Sequence, residues 1–172
     1  LRNGILNVGL GTYGLGLLQN GSNNVGIGFQ SGSFAMGSDN VIIANASSFS
    51  INEFDSIADN IIIGNHKPTF NLVSDKNVLI GSNAGGNLIN GGGNVAVGDS
   101  ASASNTTGAF NVAIGAKALA LNTTKNNLVA IGDSALYNNG IGATITEAVE
   151  NTAIGSKALF ANTTGSLNTA VG

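Results

Sequence analysis

The sequence predicts an all-β fold, a parallel β-solenoid, on three observations. A five-residue motif recurs from one end of the chain to the other, its dominant spacing is 17 residues, and the composition is unlike that of ordinary globular enzymes. Of 172 residues 26 are glycine, one is proline and only 9% are charged, against about a quarter charged in a typical soluble domain. A fixed period of this length, with one short β-branched segment in each copy, is the signature of coils stacked by parallel strand pairing.

The motif is Asn-x-x-aliphatic-Gly. Copies start near residues 7, 24, 40, 60, 77, 94, 111, 128, 151 and 168, at spacings of 17, 16, 20, 17, 17, 17, 17, 23 and 17. In the copy at 128, Leu128 replaces the asparagine. The whole chain, 1–172, therefore reads as a single β-roll repeat region, with insertions in 40–59 and 128–150, and as a segment of a longer fibre.

Numbering each coil from its asparagine, alternation sends positions two and four to one face and position three to the other. Position four is always aliphatic: Leu10, Ile27, Ile43, Ile63, Ile80, Val97, Ile114, Ile131, Ile154 and Val171. The expectation is that these side chains form the continuous core column. Position three is Gly or Ala in seven of ten coils, which leaves that face for the close approach of another chain.

Position five is glycine in nine copies, among them Gly11, Gly28, Gly64, Gly81, Gly98, Gly115, Gly132 and Gly155. A turn that a side chain would oppose is expected there. The second half of the coil, as in Lys157-Ala158-Leu159-Phe160-Ala161-Asn162-Thr163-Thr164-Gly165, reads as a second, less regular strand closed by an Asn-Thr-Thr-Gly turn. Two strands and two turns per coil make a flat roll of about ten coils, roughly 45 Å long at the spacing of paired strands.

Several sharper readings fall to the repeat. Gly9, Gly11 and Gly14 have G-x-G-x-x-G spacing, but no crossover helix follows and the first acidic residue is Asp39, so no dinucleotide cofactor is expected. The sequons at Asn105, Asn122 and Asn162 share one repeat position and read as a turn ladder rather than as glycosylation acceptors. The glycine-rich run 85–93 lacks the aspartates of a calcium-binding repeat. His66 is the only histidine, and carboxylate pairs such as Asp55 with Asp59 or Glu147 with Glu150 lie on insertions, where solvated faces are the norm; neither metal nor catalytic residues are expected. Net charge is −3 with six scattered Lys and Arg, which excludes a nucleic-acid stripe. No apolar run reaches the length of a membrane span.

Asp99 and Asp133 stand at position six, Lys117 and Lys157 at position seven, so stacking predicts a surface ladder of alternating sign. Recognition, where the segment carries any, is expected on the excursions, at Phe49 and Phe54 in one and Ile141, Thr144 and Thr146 in the other. The Thr pairs at 106–107, 123–124 and 163–164 offer an alternative, a glycan- or ice-binding array.

The copies "NTAIGSKALFANTTGSL", "NVAIGAKALALNTTKNN" and "NVAVGDSASASNTTGAF" resemble the head repeats of trimeric autotransporter adhesins and the Asn-Thr-Ala-Ile-Gly-type repeats of bacteriophage tail fibres. The likeness is strong over 94–172, moderate over 60–93, and rests on the motif core before residue 60. It implies a left-handed roll, association of three chains, a non-enzymatic role in attachment, a host receptor or glycan as partner, and an extracellular place on a virion tail or cell surface. The 17-residue coil is longer than that of the adhesin heads.

Overall fold

The computed structural model of the chain describes residues 4–16, 21–32, 37–45, 57–65 and 74–172. Each copy of the motif contributes one three-residue strand at its positions two to four. These are β1 (Val8–Leu10), β2 (Val25–Ile27), β3 (Val41–Ile43), β4 (Ile61–Ile63), β5 (Val78–Ile80), β6 (Val95–Val97), β7 (Val112–Ile114), β8 (Val129–Ile131), β9 (Thr152–Ile154) and β10 (Thr169–Val171). They form one ten-stranded parallel sheet in sequence order. Equivalent positions pair throughout, for example Val95 with Val112 and Ala96 with Ala113. The 16-, 20- and 23-residue spacings leave this register unchanged, so the chain is a β-solenoid whose irregular lengths are taken up away from the strands.

The strands face the opposite way to the sequence expectation. Position three points inward: Ile42, Ile62, Leu79, Ala96, Ala113, Ala130 and Ala153 are all buried. The expected core column, position four, faces outward instead. Leu10 is 64% exposed, Val171 76%, and Ile43, Ile114 and Ile154 between 37% and 39%, while Ile27, Ile63, Ile80, Val97 and Ile131 are half-buried. The physical reason lies at position one. By the two-residue period Asn shares the face of position three, and that asparagine is buried, as in Asn40, Asn60, Asn77, Asn94, Asn111 and Asn151.

Buried amides need partners, and these asparagines find them through both amide atoms. The Oδ1 of Asn94 accepts the backbone N–H of Asn111 at 3.0 Å, and that of Asn111 accepts the N–H of Leu128 at 3.0 Å. The Nδ2 of Asn94 donates to the carbonyl of Gly108 at 2.9 Å, that of Asn111 to Lys125 at 2.8 Å, and that of Asn151 to Gly165 at 2.6 Å. One side chain thus ties its coil to the next and closes its own coil fourteen residues on. A position-one ladder of this kind can work only inside the roll.

The second half of the coil is not a strand. Its residues form consecutive turns in which positions seven and nine adopt positive φ, between +50° and +59°, at Tyr13/Leu15, Ser100/Ser102, Lys117/Leu119, Ser134/Leu136 and Lys157/Leu159. Left-handed backbone costs a non-glycine residue about 1–2 kcal/mol. Axial hydrogen bonds offset it: Lys117 N–H donates back to Asp99 C=O at 2.8 Å, and Leu119 N–H donates forward to Ala135 C=O at 3.0 Å. The expected two-strand coil is therefore corrected to one strand plus a turn ladder that is hydrogen-bonded along the same axis. Lys157 N–H donates to Asp133 C=O in the same way, which makes the charged residues of the predicted ladder axial neighbours.

Glycine at position five has φ from +110° at Gly11 to +142° at Gly172. A Cβ on Gly98 would stand 2.6 Å from the Gly115 carbonyl oxygen, and one on Gly115 2.5 Å from that of Gly132. Conformation and the next coil both require glycine at this corner.

Candidate functional site

Two features of the surface stand apart from the regular scaffold. The first is the outer face of the sheet. Positions two and four place Val25 and Ile27, Val41 and Ile43, Ile61 and Ile63, Val78 and Ile80 and their successors on it, each exposed or half-buried. Most surface isoleucines are isolated and need no explanation. Here they are contiguous, rung on rung, along a band roughly 45 Å long at the strand spacing. Polar residues border it on both sides: position six gives Asn45, Asn65, Ser82, Asp99 and Asp133, and the last residue before each motif gives Asn23, Asp39, Asp59, Lys76, Asn127 and Glu150, all exposed; Phe29 and Ala116 interrupt the first row, and Leu6, Gly93, Phe110 and Leu167 the second.

The second feature is the insertion of the 128–150 coil. In a regular coil a second buried asparagine, at position twelve, closes the corner: Asn105 Nδ2 donates to Gly108 C=O at 2.8 Å and its Oδ1 accepts Gly108 N–H at 2.8 Å. With both amide atoms so engaged and the residue 1% exposed, Asn105 acts as a corner brace, not as a glycan acceptor. Asn122 braces Lys125, and Asn162 braces Gly165, in the same manner. In the inserted coil Asn139 Nδ2 reaches Ala148 C=O at 2.8 Å. Residues 140–147 therefore replace the two threonines of the corner without disturbing its closure.

This excursion is tied internally. Thr144 N–H donates to Glu147 Oε2 at 2.7 Å, and Glu147 N–H returns to Thr144 C=O at 3.2 Å. The backbone hydrogen bond from Thr144, with lesser help from Lys125, lowers the Glu147 carboxyl below its ordinary value. Lys125 Nζ donates to the Thr144 carbonyl, and the lysine itself is only 4% exposed. Beside the loop lies an open groove of about 490 Å³ lined by Thr107, Thr124, Lys125, Asn126, Ala143, Ile145 and Val149. Of the residues expected in recognition, Ile141, Thr144 and Thr146 are all exposed on this excursion. Sequence reasoning passed over Ile145, at 90% the most exposed large apolar residue of the described chain, and Lys125, whose departure from the glycine of Gly91, Gly108 and Gly165 was the available signal. Phe49 and Phe54, like His66 and Asp55, lie outside the described residues.

Among the described residues no group of three or more His, Asp or Glu could hold a metal ion. No helix among the described residues is long and apolar enough to cross a membrane. No protein-family model, curated protein or solved structure matches the chain.

Proposed function

We propose that the chain is a structural and attachment segment, a homotrimeric left-handed β-solenoid in a fibre that projects from a phage tail or a bacterial surface and holds its carrier to a host receptor or glycan. The observation that carries the reading is the outward band of valine and isoleucine, since a contiguous apolar surface bounded by polar residues marks an association face. Each isoleucine fully withdrawn from water contributes about 1.5–3 kcal/mol, and the repeat multiplies that gain along the axis. The number three and the hand come from the resemblance of the repeats. The role is mechanical, without catalysis or cofactor, and its place is extracellular.

The borders of the band support parallel, in-register chains around one axis. In such an assembly the border before the motif on one chain meets position six of the next at the same height. That sets Asp39 near Asn45, Asp59 near Asn65, Lys76 near Ser82, Asn127 near Asp133 and Glu150 near Ser156. No rung pairs like charges, and each charged group meets an amide or hydroxyl except Asp99, which meets Gly93. Antiparallel packing would bring like borders together, and both are net acidic among the described residues, a juxtaposition that disfavours association.

The chain has no cysteine, so cross-linking can be read cleanly. A double variant Asn127→Cys with Asp133→Cys should form disulfides between chains on oxidation and run as a closed covalent trimer. Either single variant should stay uncross-linked, because each cysteine then faces no thiol. Dimers formed by Asn127→Cys alone would establish antiparallel packing and overturn the reading.

A further inference from the structure

The 140–147 excursion is held more firmly than a spacer requires. Corner closure already runs from Asn139 to Ala148 and Gly140 N–H makes the axial bond to Thr163 C=O, so the coil's closure does not depend on 141–147. Even so, where Gly91, Gly108 and Gly165 stand at the corner of other coils, the neighbouring coil carries a long cation, Lys125, buries its stem and directs its ammonium to the loop carbonyl of Thr144. The stem runs past Gly140, where a Cβ would stand 3.1 Å from Lys125 Cγ. Pre-ordering a loop removes the entropy that a ligand would otherwise have to overcome.

We infer that the groove between this loop and the threonine corner binds a neutral oligosaccharide. Its charges are already committed, Lys125 to Thr144 and Glu147 to the Thr144 N–H. The threonine corner then offers exposed Thr107 and Thr124 and the amide of Asn126, whose Oδ1 accepts the N–H of Ala109 at 2.7 Å. The rest of the lining is apolar, Ala143 and Ile145 from the loop and Val149 next to Asn126 in the axial row. A sugar presents those two characters on one ring, hydroxyls at its edge and C–H groups on its face. An extended peptide binds instead by adding main-chain hydrogen bonds to a free edge. This corner has little to offer it: the N–H groups of Thr106 and Thr107 go to Thr123 C=O, that of Lys125 to Asn122 Oδ1, and the Lys125 carbonyl accepts Asn111 and Asn122. The groove volume of about 490 Å³ lies in the range of small-ligand sites, roughly 300–1,000 Å³.

The inference deepens the attachment half of the proposed function and is tested apart from the assembly half. Methyl-labelled full-length chain is titrated with neutral tetrasaccharides of glucose, galactose and N-acetylglucosamine, and with an uncharged extended peptide, while its mass and melting are recorded. Shifts at the Ile145, Val149 and Ala143 methyls are expected with a sugar. Affinity should fall roughly tenfold or more, the equivalent of about one hydrogen bond or one buried apolar group, in Thr124→Val and in Ile145→Asp. Thr164→Val, on the same repeat position outside the groove, should bind as the parent does. Silence of the three methyls with every sugar, response to the peptide alone, or binding unchanged in both groove variants would overturn the site, and an unchanged mass would leave the assembly reading standing.

Discussion

Ala113 and Ile114 are consecutive residues of one strand, and they belong to two different solvents. Ala113 is fully buried inside the roll; Ile114, next to it, is 38% exposed on the outer face. The same contrast holds for Ala96 and Val97, Ala130 and Ile131, Ala153 and Ile154. In a solenoid that stands alone the larger apolar side chain belongs inside, because burial scales with apolar area. Here the interior is filled by methyl groups, braced by asparagine, and supplied with bulk from the turn side by Leu119 and Leu136. The lesson is that the inner face is selected for thinness and hydrogen-bond closure, and the outer face for apolar area.

The interior also shows how interchangeable its bulk is. Near the middle of the chain the large residue sits at position three, as Leu79, and the turn-side place is Gly85, where an added Cβ would stand 2.8 Å from Leu79 Cδ2. In the coils that start at 111, 128 and 151 alanine takes position three and leucine takes position nine, while the 94 coil between them and Leu79 has Ala96 with Ser102. Bulk for the close-packed interior can thus come from either side.

The largest break in this comparison comes from the outer face. Ile114→Asp combined with Ile131→Asp puts carboxylates into the association band, and should shift assembly by about 3 kcal/mol or more per chain. Sedimentation should show single chains whose circular dichroism is still that of the folded roll. Next comes the inner face at position one. Asn111→Ala strips the Leu128 N–H of its acceptor, at about 1–3 kcal/mol for a buried group left unmade, and leaves the Lys125 carbonyl with Asn122 as its remaining donor. Its melting temperature should fall whether or not the chains are associated. Ala113→Leu, inward and beside Ile114, should lose about 1–3 kcal/mol by overpacking, in chemical denaturation of the Ile114→Asp/Ile131→Asp background, where only folding is read.

The smallest effect is local and depends on pH. The carboxyl of Glu147 is held below its ordinary value by the Thr144 N–H, so its contribution to loop order is present above the unfolded value and is lost as pH falls through the lower, folded one. Protection of the Thr144 amide, taken relative to its intrinsic exchange rate at each pH, should fall on acidification below the ordinary carboxylate range, and Glu147→Gln should remove that dependence. A protection that ignores both would show that the clamp does not hold the loop.

The strand positions were legible because Asn-x-x-aliphatic-Gly marks every rung, and parallel register follows from the recurrence of that motif whatever the length between copies. The facing was not. Alternation separates positions two and four from position three but does not say which side is the interior. The consistent aliphatic at position four drew the core assignment, although the equally consistent asparagine at position one, on the face of position three, pointed to a buried amide ladder. The turn half was misread as a strand for a different reason. Lys117 and Leu119 have no intrinsic preference for positive φ, and they adopt it because the carbonyls of Asp99 and Ala135, in the coils on either side, accept their N–H groups. At the insertion the sequence marked Ile141, Thr144 and Thr146, but the clamp through Lys125 joins residues 19 apart, a tertiary pairing that no local pattern announces.

The central claim is that the outward valine and isoleucine band is an interface between copies of this chain. Sedimentation equilibrium of the 17.0 kDa chain over a wide concentration range tests it most directly. The account predicts a mass three times that of the chain, held on dilution and reduced to the single-chain value by Ile114→Asp with Ile131→Asp. A parent chain that remains folded at the single-chain mass at every concentration, with the band open to water, would contradict it.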